Sequence, residues 1–274
     1  MGISGYPQVM TTDTSTTRDS GLAQRYQDVK ARIDQAAKKI GRRGSDVLLV
    51  VVTKNADLPT IRQLIDMGHT DFGENRVQNM VTRSAQIQES IDRMESFPEV
   101  AGRPAPVAPN WHMIGRLQRN KVRKAIEISR VIHSVDSLRL IEEIQSQAAK
   151  LGAVAEVLIE INVSGETTKT GVAPAAVRHV VDQIETMLNV KARGLMCMAP
   201  HTDDEEVIRA VFTRCQEVFD EVRSLDSGGE EFNILSMGMS GDFEIAVECG
   251  ANLVRVGSAI IGDTTSDANI ESSD

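Results

Sequence analysis

The feature that most constrains the fold is a regular alternation of short apolar runs with segments of helical periodicity. Eight runs rich in Val, Ile and Leu have the length and composition of strands. They cover residues 47–53, 71–73, 111–114, 131–135, 156–163, 192–198, 233–237 and 253–260. Because strands that alternate with helices usually form parallel sheets, this pattern predicts an α/β protein.

Between the runs, apolar residues recur at every third or fourth position, as on one face of a helix. These segments cover residues 58–67, 76–94, 118–128, 137–151, 174–188, 203–223 and 242–249, and a further helix at 22–40 precedes the first run. The pattern predicts a (β/α)8 TIM barrel with an additional N-terminal helix. An open doubly wound sheet is the alternative, since periodicity does not show whether a sheet closes.

The same pattern sets the expected domain limits. Residues 21–262 are predicted to form a single barrel, close to the ~250 residues typical of that fold. Residues 1–20 are rich in Ser, Thr and Gly and are predicted to be a disordered leader without the features of a signal peptide. Residues 263–274 are predicted to be a disordered tail, and the proline-rich segment 97–109 a surface insertion.

Charge and cysteine content exclude several classes of function. The formal net charge of −9 argues against general nucleic-acid binding, which needs a basic surface to neutralise phosphates. No run is long and apolar enough to predict a membrane span. Cys197, Cys215 and Cys249 are far apart and predict buried thiols in a reducing compartment, with no metal site. We therefore expect a soluble cytoplasmic protein.

A lysine, Lys54, closes the first and most apolar run. A lysine partly desolvated by such a run loses some of its preference for the ammonium form, and the neutral amine is the form that condenses with an aldehyde. The position therefore suggests a Schiff-base lysine. A lysine that simply ends a strand and extends to water is the alternative.

The last two runs predict an anion site. Each is followed by glycines and hydroxyls, and a helix begins after the first of them, where free N–H groups and the helix dipole favour an anion. The residues concerned are Ser236, Gly238, Ser240, Gly257 and Ser258. Since the loops after strands seven and eight are the usual phosphate site of this barrel, we expect a phosphorylated ligand. Glycines that serve only a tight turn are the alternative.

Other polar residues lie at or near the predicted strand ends. Asn75 follows the second run, His112 lies within the third, and Arg255 lies inside the eighth, where an arginine needs a partner. His112 could also be a core histidine with satisfied hydrogen bonds. His133, His201 and Cys197 lie near strand ends but lack a recognisable metal-ligand spacing, so no metal is expected.

Taken together, Lys54 and five motifs resemble the pyridoxal phosphate homeostasis protein family, single-domain relatives of the alanine racemase barrel. The motifs are DFGENRVQ (71–78), WHMIGRLQ (111–118), RGLM (193–196), LSMGMS (235–240) and VRVGS (254–258), and they occur in the family's order. The resemblance implies a fold-type III barrel that holds pyridoxal 5′-phosphate (PLP) as an aldimine on Lys54. It also implies that the phosphate is held by Ser236, Ser240, Gly257 and Ser258.

An amine and an anion site across one barrel mouth fit a molecule that carries both an aldehyde and a phosphate. Arg255 fits as the partner of the pyridine nitrogen. Because a permanent cation there disfavours protonation of the ring, the cofactor would be a poor electron sink. The sequence also departs from the family pattern, since many members have a second lysine at the position of Ala56 and the tail has none. Lys169 matches the family's other marked lysine, although a solvated loop charge is the alternative.

The resemblance implies a protein that holds PLP, contributes to intracellular PLP homeostasis and passes PLP to PLP-dependent apoenzymes without robust catalysis. The alternative is a PLP-dependent amino-acid racemase of low activity, which needs an acid or base on each face of the substrate α-carbon. In the racemases that the barrel resembles, the second base is a tyrosine, but Tyr6 and Tyr26 lie in the leader and the first helix. His112 or Cys197 could substitute, so weak activity stays open.

A third hypothesis is a Schiff-base aldolase that acts on a sugar phosphate. It explains Lys54 and the phosphate site but leaves Arg255 and the turn at 73–76 without a role. We therefore predict a cofactor carrier that is not an enzyme. Because no segment is predicted to cover the barrel mouth, we expect a monomer.

Overall fold

The computed structural model describes residues 20–97, 106–163, 170–225 and 227–262. Within these ranges eight parallel strands form a closed barrel in which neighbours along the chain are also neighbours in space. The strands are Leu48–Val52 (β1), Asp71–Glu74 (β2), Asn110–Met113 (β3), Ser129–Val135 (β4), Ala155–Glu160 (β5), Val190–Met196 (β6), Ile234–Ser236 (β7) and Leu253–Val256 (β8). The pairing of β1 with β8 closes the sheet, so the barrel is confirmed and the open sheet is excluded.

Helices alternate with the strands and surround them. They are Ser20–Lys39 (α1), Leu58–Asp66 (α2), Val77–Ser96 (α3), Val122–Ile128 (α4), Leu138–Leu151 (α5), Val177–Glu185 (α6), Glu205–Ser224 (α7), Phe243–Glu248 (α8) and Ser258–Ile261 (α9). Short 3₁₀ turns cover Gly44–Asp46, Arg119–Lys121 and Pro174–Ala176. The main core lies between the strands and these helices, because both faces of a parallel sheet must be covered.

The helix that follows β8, α9, has only four residues. The N-terminal helix α1 covers the strands that a full-length eighth helix would cover. α1 packs against both α8 and α9. At one end, Arg25 Nε donates to the carbonyl of Ile260 at 2.7 Å. Just beyond the other end, Arg42 Nη1 donates to the carbonyl of Ala251 at 2.9 Å. The buried side chains of α1 include Leu22, Tyr26, Val29, Ile33 and Ala37.

The barrel interior contains both apolar and polar side chains. Val131, Leu158 and Met196, from β4, β5 and β6, form a small buried cluster separate from the main core. Side chains of a strand alternate between its two faces, so His133 shares the inward face of β4 with Val131. The inward face of the sheet therefore carries groups that need hydrogen-bond partners.

Two expected strand ends differ from the structure by more than two residues. The predicted eighth strand, 253–260, is wrong beyond Val256, because Gly257 turns the chain and α9 follows. A short apolar run does not distinguish a strand from a helical turn by periodicity. The fifth strand ends at Glu160 rather than at residue 163, and Ile161 continues only as an isolated bridge to Val172.

Several other expectations lie outside the described ranges. They are the leader 1–20 apart from Ser20, which begins α1, most of the insertion at 97–109, the tail 263–274, and Lys169 with its loop. Cys197, Cys215 and Cys249 are buried and free, as predicted. In the described ranges no helix has the length and apolar character to cross a membrane. These ranges also contain no group of three or more His, Cys, Asp or Glu side chains placed to hold a metal ion.

Candidate cofactor site

A cavity of about 630 Å³ opens at the carboxyl ends of the strands. Its walls come from the loops after β1, β2, β3, β5, β6, β7 and β8. Most of the site residues predicted from sequence line it, namely Lys54, Asn75, Ser240, Arg255, Gly257 and Ser258. His112, Ser236 and Gly238 do not line it, and their positions are described below.

Lys54 lies on the loop after β1 and is exposed at the cavity mouth. β1 ends at Val52, so the strand does not bury the amine and the desolvation expected from the apolar run is absent. The Lys54 amine makes no hydrogen bond or ion pair with any described residue. It is therefore available to a ligand in the cavity.

The loop that carries Lys54 is held from outside the cavity by Arg83 of α3. Arg83 Nη1 donates to the carbonyl of Thr53 at 2.5 Å and also to the carboxylate of Glu74, and its Nη2 donates to the carbonyl of Ala56 at 2.7 Å. Glu74 is fully buried and also accepts from the Thr53 hydroxyl at 2.5 Å. The backbone on both sides of Lys54 is thus fixed by one buried ion pair.

The adjacent wall, formed by the loops after β7 and β8, brings two backbone N–H groups to the hydroxyl of Ser240. The backbone N–H groups of Gly257 and Ala259 both donate to Ser240 Oγ, at 3.1 and 3.2 Å. A Cβ on Gly257 would lie 3.2 Å from Val52 Cβ, so glycine allows the close approach of this loop to β1. Because the Ser240 hydroxyl oxygen accepts both N–H groups, its own O–H remains to donate to an oxygen of a phosphate group.

The position of Gly238 is explained by the backbone conformation and packing of its loop. Its φ of +85° favours glycine, and a Cβ there would lie 2.6 Å from Ala246 Cβ on α8. Its carbonyl accepts from the Arg255 N–H at 3.0 Å. The turn alternative considered for this residue therefore describes its position, and the cavity is lined by Ser240 and Gly241 of the same loop.

Arg255 brings a buried cation to the floor of the cavity. Its Nη1 donates to Ser236 Oγ at 2.6 Å and its Nη2 to the carbonyl of Cys197 at 3.0 Å. Burial lowers the pKa of Arg255 from its ordinary value, although nearby acidic groups, including Asp242 and Glu160, oppose that effect. An arginine keeps its proton in proteins, so the guanidinium remains a charged donor. Among the described residues it forms no ion pair with a carboxylate.

Ser236 and His112 lie beneath the cavity in a chain of hydrogen bonds that we call the interior chain. It runs from Arg255 through Ser236, His133 and His112 to Asp71, the first residue of β2. His133 Nδ1 lies 3.1 Å from Ser236 Oγ, and His133 Nε2 lies 3.0 Å from His112 Nδ1. His112 Nε2 lies 3.1 Å from Asp71 Oδ1. All five residues are buried, so the chain crosses the barrel from the cofactor cavity to the amino end of β2.

The charges at the two ends determine the direction of the interior chain. Burial, followed by the charges of His112 and Arg255, places the pKa of His133 well below its ordinary 6.5, so His133 is neutral. Burial alone would raise the pKa of Asp71, but hydrogen bonds led by that from His112 lower it to about 2. When Arg255 donates to Ser236 and each residue donates to the next, every atom has a suitable partner and Asp71 is the final acceptor.

Comparison with known proteins identifies the family. Residues 25–265 match the family model described as the alanine racemase N-terminal domain. The pyridoxal phosphate homeostasis protein of Helicobacter pylori is 35% identical over 239 residues, which are 84% of this chain and 97% of that protein. The chain belongs to the pyridoxal phosphate homeostasis protein family. A further member, from Aquifex aeolicus, is 35% identical over 88% of this chain and 97% of its own length.

A solved structure agrees with this assignment to the pyridoxal phosphate homeostasis protein family. PipY of Synechococcus elongatus, determined with PLP bound, is 29% identical and superimposes with a TM-score of 0.72. The match covers 88% of this chain and 100% of PipY. The family and the barrel expected from the sequence are therefore confirmed.

Several residues of the site were not anticipated from the sequence. Glu160, Thr170 and His201 line the cavity, and burial raises the pKa of Glu160 while a hydrogen bond from Thr170 at 3.0 Å opposes that effect. His201 is exposed at the rim, on a loop after β6 that has no distinctive motif. No sequence motif marks Arg83, because it lies in the middle of a helix. Its contacts with Glu74 and with the loop that carries Lys54 form only in the folded protein.

Proposed function

We propose that this protein binds PLP in the cavity at the carboxyl ends of the strands, covalently through Lys54, and contributes to PLP homeostasis without robust catalysis. The observation that carries the proposal is one cavity lined by an unpaired amine, by the Ser240 hydroxyl with Gly257 and Ser258 beside it, and by the Arg255 guanidinium. The names of the relatives and the PLP bound to PipY support it.

The residues present fit PLP group by group. A cavity of about 630 Å³ is within the range of small-molecule sites. PLP carries an aldehyde, a phosphate and a ring nitrogen, and the cavity offers an amine, the hydroxyls of Ser240 and Ser258, and a buried guanidinium. When bound, PLP supplies an aldehyde that reacts with amines and a ring that withdraws electrons. Arg255 remains charged and donates hydrogen bonds, so it disfavours protonation of the ring nitrogen and weakens that electron withdrawal.

The lining of the cavity favours a carrier over a racemase. The described tyrosine, Tyr26, is buried and bonded to His69 Nδ1 at 3.2 Å, away from the cavity. His112 and Cys197, the substitute bases considered from the sequence, lie beneath the floor. His201 is the imidazole that lines the cavity among the described residues, and it favours weak racemase activity as the second candidate function.

The wider role is part of the same proposal. A cofactor held through a reversible bond at an exposed lysine can be released to other proteins, so we propose that PLP-dependent apoenzymes receive it. We further propose that the protein acts as a monomer in the cytoplasm, with no nucleic-acid or membrane partner. Lys169 is proposed as a secondary lysine for PLP.

The decisive experiment locates the covalent bond. Protein incubated with PLP is reduced with borohydride and digested, and the modified lysine is identified by mass spectrometry. We expect the adduct on Lys54 and an absorbance band at the edge of the visible range before reduction. Both should be lost in Lys54→Ala and retained in Lys124→Ala, which removes an exposed lysine of α4 outside the cavity. An unchanged spectrum in Lys54→Ala, or an adduct only elsewhere, would contradict the proposal.

A second measurement separates the carrier from the racemase. Protein saturated with PLP is mixed with D- or L-alanine, and interconversion is followed by chiral chromatography. We expect turnover far below the ~1–10³ per second of ordinary enzymes. Turnover within that range, lost in His201→Ala, would establish the racemase instead.

A further inference from the structure

A second cavity, of about 840 Å³, lies beside the cofactor cavity at the ends of β2, β3 and β4. The two cavities share Asn75 and Arg116 in their linings. Five cationic side chains line the second cavity, which we call the basic groove: Arg76, Arg116, Arg119, Lys121 and Arg139. The carboxylate in its lining is Asp136. This local excess of positive charge occurs in a chain with a formal net charge of −9.

The cations of the basic groove differ from two paired cations on neighbouring helices. Arg93 of α3 pairs with Glu89 at 2.9 Å, and Arg123 of α4 pairs with Glu127 at 3.1 Å. None of the five groove cations forms an ion pair with a carboxylate in the described part of the chain. Like charges held together without partners repel one another, and an anion bound between them would relieve that repulsion.

Two helices add to the positive potential of the groove. α3 and α5, of 20 and 14 residues, begin at its wall, and neither has a side-chain cap for its first N–H groups. Ser137, at the start of α5, donates its hydroxyl to Asp136 at 2.9 Å and so does not cap the helix. Free N–H groups at helix starts favour an anion, and here they reinforce the five cations.

We propose that the basic groove is a second binding site, for a small organic anion with two or more phosphate or carboxylate groups. Its volume lies within the range of small-molecule sites, and the number of cations suits more than one anionic group. The site is distinct from that of the cofactor and does not depend on the covalent bond at Lys54. Since Arg116 borders both cavities, a ligand in the groove contacts the wall of the cofactor cavity.

The test uses adenosine diphosphate as probe, without metal, in isothermal titration calorimetry. The titration is done on cofactor-free protein and on protein whose cofactor cavity is filled with PLP and reduced. We expect saturable binding to both forms that weakens at high salt. Arg119→Ala with Arg139→Ala should weaken binding about tenfold or more, since each removes a charge-assisted contact. Asp136→Asn should strengthen it, and the matched control Arg123→Ala should leave it unchanged.

Two results would overturn the second site. One is equal binding by the Arg119→Ala/Arg139→Ala variant and the parent protein, once circular dichroism shows that both are folded. The other is binding to the cofactor-free form only, which would place the probe in the cofactor cavity. A failure of PLP to attach would contradict the proposed function but would leave the cofactor-free titration readable, so the two failures are distinguishable.

Discussion

Among single residues, Arg83 should have a large effect on stability. Its partner Glu74 is fully buried, and one carboxylate oxygen, Oε2, has no partner among the described residues. Replacing Arg83 with leucine leaves that charge buried without a cation, so we expect a loss of about 3–5 kcal/mol in unfolding free energy. Urea unfolding followed by circular dichroism measures the loss.

The control for Arg83 lies on the same helix. Arg93→Leu breaks an exposed pair with Glu89 and should cost at most about 0.5 kcal/mol. The double variant Arg83→Leu/Glu74→Leu should recover much of the stability, because it removes the buried charge together with its partner. Equal losses in Arg83→Leu and Arg93→Leu would show that the buried pair does not hold the Lys54 loop.

The residues of the cofactor cavity could be predicted from sequence to the extent that strand ends reveal them. Lys54, Ser240 and Arg255 lie on or next to strands with clear apolar patterns, and the carboxyl ends of parallel strands meet at one face. The exposure of Lys54 and the turn at Gly238 were each one of two alternatives from the sequence, which could not decide between them because both depend on where a loop packs. His133 could not be assigned because its partners come from other strands.

At the scale of elements, the interior chain links β2, β3, β4, β7 and β8 through hydrogen bonds. Some of its members, including His133, are groups that titrate. Because the folded pKa of His133 lies well below 6.5, its contribution to stability is complete above pH 6.5 and is lost as pH falls below it. We expect the unfolding free energy to fall by about 1.4 kcal/mol per pH unit for this one proton. Denaturant unfolding between pH 5 and 7.5 measures that slope.

His133→Gln should reduce the slope by the share of one histidine, whereas His179→Gln, at an exposed position on α6, should leave it unchanged. Burial also lowers the pKa of His69, so some slope should persist in the His133 variant. Asp71, with a pKa of about 2, titrates below this window and does not confuse the result. An identical slope in parent and His133→Gln would show that His133 is not held neutral.

The order and type of the elements could be predicted because apolar periodicity records which faces are buried. Closure could not, since it depends on the pairing of β1 with β8 across the whole chain. The end of the eighth strand was missed because the turn at Gly257 is fixed by Ser240, which lies 17 residues earlier in sequence. Local patterns thus predict elements well and their ends poorly.

On the scale of the whole molecule, α1 completes the ring of helices, so its loss should affect the entire barrel. Ile33 is 4% exposed in the core, and Ile33→Ala should lower the unfolding free energy by about 2–5 kcal/mol. The single tryptophan, Trp111, lies on β3, two strands from β1, and reports on a distant part of the same core. If the barrel unfolds as one unit, Trp111 fluorescence and circular dichroism should shift to the same lower midpoint.

The matched control is Leu188→Ala, because Leu188 is 88% exposed and should contribute at most about 0.5 kcal/mol. A different outcome has a clear meaning. If Ile33→Ala shifted the circular dichroism transition while Trp111 fluorescence kept its midpoint, α1 would unfold separately from the barrel. The Lys54 side of the cofactor cavity would then be stable without α1, since β1, β2 and α3 supply the contacts that hold its loop.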